Sequence, residues 1–94
     1  MQAYVYILAS QKNGTLYAGV TSDLVKRIWQ HKNNVVEGFS KKYHVHLLVW
    51  YEVHNEIETA INREKKIKEW KRLWKLELIE KTNLTWRDLY IEIV

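Results

Sequence analysis

The stretch "YVYILASQKNGTLYAGVT", Tyr4–Thr21, decides how the chain folds. Its first part lies within Ala3–Ser10, which is rich in β-branched and aromatic residues and has the length of a strand. Asn13-Gly14 is a hairpin turn signal, and Thr15–Thr21 reads as the return strand. With the turn centred on Asn13-Gly14, residues whose numbers sum to 27 face each other, so Tyr6 is expected opposite Thr21 and Tyr17 opposite Ser10. Side chains alternate faces along a strand, so Tyr6, Leu8, Ser10, Tyr17, Gly19 and Thr21 share one face. A glycine inside a strand weakens it, and it marks either a bulge or a close approach by ligand or backbone.

Outward from the hairpin, Asp23 or Ser22 can cap a helix over "LVKRIWQHK", Leu24–Lys32. At about 100° per residue, Leu24, Val25, Ile28 and Trp29 form its apolar side. Arg27 and His31 are i,i+4 neighbours at the border of that side, where a helix following the hairpin can lean them over the sheet. "NNVVEGFSKKYH" reads as a polar, basic loop. "VHLLVWYEV", Val45–Val53, is almost continuously apolar and suits the most buried strand of a sheet. Asn55 and Glu58 offer an N-cap with a capping-box-like partner. Helix is expected from about Glu56 into the Trp70–Lys81 region, with a break near Trp70. The tail "TNLTWRDLYIEIV" is expected to pack Trp86, Leu89 and Tyr90 back on the domain.

The helix after Asn55 breaks its own pattern. Its apolar stripe is Ile57, Ala60, Ile61 and Ile67, and Glu64 falls in the middle of it. A carboxylate where the core should be is costly unless it is paired or metal-bound. Either it forms an ion pair with Arg27 or Lys68, or it belongs to a site. Two phenols, a guanidinium, an imidazole and that carboxylate would make one constellation. A lone carboxylate suits one hard divalent cation, Mg²⁺ or Mn²⁺, that keeps waters and takes phosphate oxygens. Arginine suits charge building on a phosphate, and a tyrosine or histidine can move the proton of an attacking water. This is the equipment of metal-assisted phosphodiester hydrolysis.

Composition agrees with that chemistry. Ninety-four residues with a formal net charge of +4 fit one domain, 1–94. Residues 61–81 hold eight Lys or Arg against four Glu, a stripe that favours polyanions or is a solvated face with i,i+4 ion pairs. No apolar run reaches the roughly 18 residues of a membrane span, and the N-terminus lacks signal-peptide character. The chain has no cysteine, so a cytoplasmic location is expected, with neither disulfides nor Cys-ligated zinc.

These residues resemble the GIY-YIG nuclease superfamily, and within it the small stand-alone bacterial proteins of the UPF0213, excinuclease C N-terminal-like type. "YVY", Tyr4–Tyr6, sits where that family has G-I-Y, and "YAG", Tyr17–Gly19, where it has Y-I-G. "TSDLVKRIWQH" matches the family helix with its Arg and His, and "REKKIKEWKR" the segment with the metal-binding Glu. "KTNLTWRDLY" resembles the C-terminal segment with a polar Asn, here Asn83. Tyr4 and Ala18 depart from the motif's glycine and isoleucine, at positions that supply no catalytic group in the family.

The resemblance implies an α+β fold, a three-stranded antiparallel sheet flanked by helices in a single domain. It implies an endonuclease acting on DNA, with RNA still open as a substrate, in repair or nucleic-acid processing. Tyr6, Tyr17, Arg27, His31 and Glu64 would be catalytic, with one divalent ion on Glu64. Lys26, Lys41, Lys42, Lys65, Lys68, Lys71 and Arg72 are candidates for backbone contact, and Trp70 or Trp74 for stacking on unpaired bases. Cleavage biased to single strands or to particular DNA structures is expected, from a monomer or weak homodimer. The rival reading is a module on the same scaffold that binds nucleic acid or a repair partner without cutting. A third is a basic structural protein whose Glu64 pairs with Arg27.

Overall fold

The computed structural model describes residues 2–35 and 38–94, without the side chains of Phe39 and Ser40. Strands β1 (Ala3–Ala9) and β2 (Leu16–Thr21) lead into helix α1 (Leu24–Lys32) and a short helix α2 (Phe39–Tyr43). Strand β3 (Leu47–His54) follows, then helices α3 (Ile57–Glu69), α4 (Arg72–Thr82) and α5 (Tyr90–Ile93). The three strands form one antiparallel sheet in the order β2-β1-β3. The expected sheet flanked by helices is therefore present.

The sheet has two covered faces. Val5, Ile7 and Ala9 pack with Ala60 and Ile67 of α3, Ile79 of α4, and Trp86 of the tail. Tyr6 and Leu8 pack on the other side with Leu24 and Ile28 of α1, Val45, and Leu89 of the tail. Fully burying an isoleucine such as Ile67 or Ile79 stabilises the fold by about 1.5–3 kcal/mol relative to leaving it exposed.

Being central and covered on both sides, β1 is the most buried strand, a place the apolar run of Val45–Val53 had suggested for β3. The β3 run is explained by a bulge. Ile7 pairs with Trp50 and Leu8 with Leu48, so Val49 is the extra residue. Val49 and Trp50 consequently both enter the core under α3 and α4, and three consecutive residues of an edge strand are buried.

The hairpin register is shifted from the expected one. Tyr4 faces Thr21, Tyr6 faces Gly19 and Leu8 faces Tyr17. Ser10 N–H donates to Thr15 O at 3.0 Å and Gly14 N–H to Gln11 O at 2.9 Å, enclosing a four-residue loop. A two-residue type I′ turn needs positive φ at both central residues. Asn13 takes it, at 59°, but Gly14 does not, so the loop lengthens. The shift is by two, so the parity survives and both tyrosines keep the same face.

Asp23 caps α1 as expected, accepting from Lys26 N–H at 3.2 Å. The loop expected over "NNVVEGFSKKYH" contains α2, while Val36 and Glu37 lie outside the described residues. The Asn55 cap does not form. The chain turns one residue later, and Glu56 stands at the N-cap without a side-chain bond. Trp70 and Lys71 are extended, which breaks the helix where the stripe changed direction.

The tail folds back. Asp88 Oδ1 accepts from Leu48 N–H at 3.2 Å, and Leu89 N–H donates to Leu48 O at 2.7 Å. Lys32 pairs with Asp88 and ties α1 to the same segment.

Candidate active site

Tyr6, Tyr17 and His31 meet as a triangle of rings. Centroids lie 6.5 Å apart for the two tyrosines, 5.8 Å for Tyr6 and His31, and 5.5 Å for Tyr17 and His31. Tyr6 Oη and His31 Nε2 are 3.0 Å apart in a buried hydrogen bond. The ring of Tyr6 lies across Gly19. A Cβ there would stand 2.4 Å from Tyr6 Cζ and Oη. The glycine thus serves a close approach, by a side chain of the opposite strand rather than by a ligand.

His31 is buried, not at the border of the helix. The inward face of α1 is Leu24, Ile28 and His31, while Val25 and Trp29 are 39% and 50% exposed. Leu24, Arg27, Ile28 and His31 fall within one sector of the helix, and the Tyr6 hydroxyl gives the imidazole a polar partner. The expected apolar side was therefore rotated by about a quarter turn from the true one.

Arg27 lies close enough to the Tyr6 phenol to favour its ionised form, and donates from Nη1 to Gln30 Oε1 at 3.4 Å. Burial pushes the Tyr6 hydroxyl up to about 12, helped by the Tyr17 and Glu64 charges and opposed by Arg27. Burial also pulls His31 down to about 4, with Arg27 and His46 adding to the shift. At neutral pH a phenol therefore faces an uncharged imidazole. Arg27 can only donate, so any bond it makes to the phenol is accepted by the phenol oxygen, which leaves the phenol O–H free to serve the 3.0 Å bond with His31 Nε2.

Glu64 approaches from α3, close enough to Tyr6 to raise its pKa. Its side chain is 14% exposed, and Oε2 meets Lys68 Nζ at 3.1 Å, one of the two ion pairs the sequence allowed. Lys68 Nζ also lies 5.9 Å from the centre of the Tyr17 ring. Ile57, expected in the stripe with Glu64, is 42% exposed, while Ala60 and Ile67 are buried.

Two depressions flank this cluster along β2. One, of about 630 Å³, is lined by residues including Thr21, Lys26, Arg27 and Gln30. The other, of about 270 Å³, is lined by residues including Tyr17, Lys68 and Lys75. Lys75 and Gln30 were missed in the sequence; their seven- and three-residue offsets from Lys68 and Arg27 were the available signal.

The remaining candidates are scattered. Lys65 is exposed on α3, and Lys41 and Lys42 are exposed on α2. Lys71 lies over Trp74. Arg72 is turned to the hairpin loop, donating from Nη2 to Asn13 O at 2.8 Å and to Gly14 O at 2.6 Å. Asn83 is buried in the tail. Its Nδ2 donates to Val49 O at 3.1 Å and Arg87 O at 2.9 Å, and its Oδ1 accepts from Arg87 N–H at 3.2 Å. Those contacts pin the tail and involve none of the five candidate catalytic side chains.

The sheet order, the paired tyrosines and the converging Arg, His and Glu define a class: the chain belongs to the GIY-YIG catalytic domain family, which matches residues 2–77. Asn83 lies beyond that match. The family is a nuclease superfamily. More narrowly, the chain stands among the UPF0213 proteins. It is 37% identical over 76 residues to one from Staphylococcus saprophyticus, a span of 81% of this chain and 92% of that one. It is 36% identical over 81 residues to one from Clostridium perfringens, 86% of each chain. The solution NMR structure of a UPF0213 protein from Bacillus halodurans matches with a TM-score of 0.56 and 29% identity, over 88% of this chain and 87% of that one.

The buried imidazole gives stability a pH dependence. The unfolded chain binds a proton at His31 near pH 6.5, and the folded chain only near 4. Between those values acid favours the unfolded state, so this contribution is complete above 6.5 and is lost as pH falls. By pH 5 the loss is about 2 kcal/mol, or roughly 10 °C in melting temperature. His46, lowered mainly by burial, adds to the slope. Melting followed by circular dichroism from pH 7.5 to 5 should show the fall, and His31→Gln should flatten it. A wild-type melting temperature unchanged over that range would contradict a neutral buried His31.

Proposed function

We propose that this protein is a metal-dependent endonuclease that hydrolyses DNA phosphodiester bonds in repair or nucleic-acid processing. One observation carries the reading: the Tyr6 phenol is held between Arg27 and His31 beside the half-buried Glu64.

The donor set fits a hard divalent ion. Among the described residues no three His, Cys, Asp or Glu side chains gather to hold a metal, which argues against a tetrahedral nitrogen and sulfur site. Glu64 offers one carboxylate from a partly exposed position, and Mg²⁺ or Mn²⁺ needs few protein ligands because it keeps waters and takes phosphate oxygens. When bound, the ion would supply positive charge beside the phosphate and its leaving oxygen.

The chain's own groups would do the rest. Tyr6 takes a proton from the attacking water while passing its own to His31 Nε2. The water oxygen bonds to phosphorus as the bond to the leaving sugar oxygen breaks, and that oxygen departs with the bonding electron pair and takes a proton from solvent water. Arg27 spreads the charge that builds on the phosphate, and Lys26, in the same depression, steadies the neighbouring backbone. With the phenol held near 12 and the imidazole near 4, neither group holds the extra proton at rest, so the transfer is concerted with cleavage and His31 gives the proton up as soon as the bond breaks.

The test is cleavage of end-labelled single-stranded and duplex DNA with Mg²⁺ or Mn²⁺, and with chelator. Cleavage should require metal, and Arg27→Ala should lower the rate by about 10²–10³ without loss of binding to unrelated sites on the duplex. A metal-independent rate, or one indifferent to Arg27, would refute the assignment.

The Glu64–Lys68 ion pair favours one alternative, a module that binds nucleic acid without cutting, because a metal must compete with the lysine. Binding without any metal-dependent cleavage in that same assay is its signature.

A further inference from the structure

We infer that the corner between α3 and α4 is a stacking platform for an unpaired base of the substrate strand, with Trp74 as its face. This rests on the nucleic-acid reading of the neighbouring site and adds single-strandedness to it.

Trp70 and Trp74 are not equivalent. Trp70 packs on the core, and the Arg63 guanidinium lies 5.3 Å from its ring centre. Trp74 is 48% exposed. Trp70 meets it edge-on, with ring centres 6.1 Å apart at 80°, so the inner indole props the outer one. The extended residues Trp70 and Lys71 set this corner. Beside it lies a depression of about 320 Å³ lined by Trp70, Trp74, Glu77, Leu78 and Lys81.

Charge identifies the occupant. Lys71 Nζ lies 5.7 Å from the Trp74 ring centre, and Lys81 stands at the rim. Between Lys68 and Lys81 five basic side chains stand against Glu69, Glu77 and Glu80. Glu80 is engaged by Trp86 Nε1 at 2.7 Å. A half-exposed indole among ammonium groups suits a flat ring carried on a phosphate chain.

The platform follows the candidate active site in sequence, across the α3–α4 corner. Lys68 bonds Glu64, Lys75 Nζ donates to Lys68 O at 3.4 Å, and both lysines line the depression beside Tyr17. Five residues of α3 lie between Glu64 and Trp70, so the two stand roughly 9 Å apart along the helix axis. A base can stack on Trp74 only if it is unpaired, since a paired base presents its faces to its neighbours in the duplex.

The experiment measures binding in chelator, so that cleavage does not intervene. Fluorescence anisotropy would follow a labelled oligothymidylate, an abasic oligomer of equal length and a duplex. Trp74→Ala should weaken oligothymidylate binding about tenfold, Trp74→Phe should retain most of it, and the abasic oligomer and duplex should be unaffected. Unchanged melting temperature checks the fold. The platform is overturned if Trp74→Ala binds oligothymidylate as wild type does, or if it loses affinity equally for the abasic oligomer. It is overturned too if the substitution halves the sedimenting mass, since a second copy would then be the occupant. Wild-type protein that binds no nucleic acid would overturn the functional reading along with it, whereas failure of the Trp74 variants alone leaves that reading standing.

Discussion

Glu64→Gln should reduce metal-dependent cleavage by about 10³ or more while shifting the melting temperature by only a few degrees. The substitution keeps the shape of the side chain and removes its charge. Among the described residues Glu64 belongs to no group of three or more His, Cys, Asp or Glu side chains that could hold a metal, so its own charge is the contribution the substitution tests. The stability cost is small for a separate reason. Lys68, its ion-pair partner, is half exposed, and such pairs contribute about 0–1 kcal/mol. Cleavage rates at saturating Mg²⁺ and Mn²⁺, set beside melting curves, separate the two effects. A variant that cuts at the wild-type rate would remove Glu64 from the site. A variant that unfolds would make it a structural acid.

Gly19→Ala should lower both stability and activity, although it adds one methyl group far from Glu64 in sequence. The new Cβ would stand 2.4 Å from the Tyr6 ring, so the ring must move by roughly 1 Å to reach ordinary contact. Tyr6 is 1% exposed and tied to His31 and Arg27, so it has little room to yield. Overpacking of this kind costs about 1–3 kcal/mol. Displacing a proton-transfer group by that distance costs about 10² in rate. A double-mutant cycle isolates the cause: in a Tyr6→Ala background the stability cost of Gly19→Ala should largely vanish. If Gly19→Ala melts and cleaves like the wild type, the ring does not need the glycine.

The sequence carried the shared face of Tyr6 and Tyr17 because strand alternation has period two and survives an even slip of register. It did not carry the register itself, which depended on whether Gly14 would join Asn13 at positive φ. The break near Trp70 and the Asp23 cap were legible because each is a local backbone event. The burial of His31 was not. Hydrophobicity pointed to Val25 and Trp29, whereas the Tyr6 hydroxyl, twenty-five residues away, turns the imidazole inward. β3 looked central because its apolar run is long, but the bulge at Val49 makes that run and leaves it at an edge. Glu64 was visible as a break in a stripe. Its contact with Lys68 was one of two named possibilities, and only side-chain packing could choose between them.

The tail also bears on the border of the sheet. The outward amide and carbonyl of Leu48, on the border strand, are taken up by Asp88 and Leu89, and the Val49 carbonyl by Asn83. An open border of this kind would recruit a strand from another chain and seed aggregates. The tail therefore acts as a selvedge at the start of β3, hemming the strand at its bulge along the backbone of Leu48 and Val49.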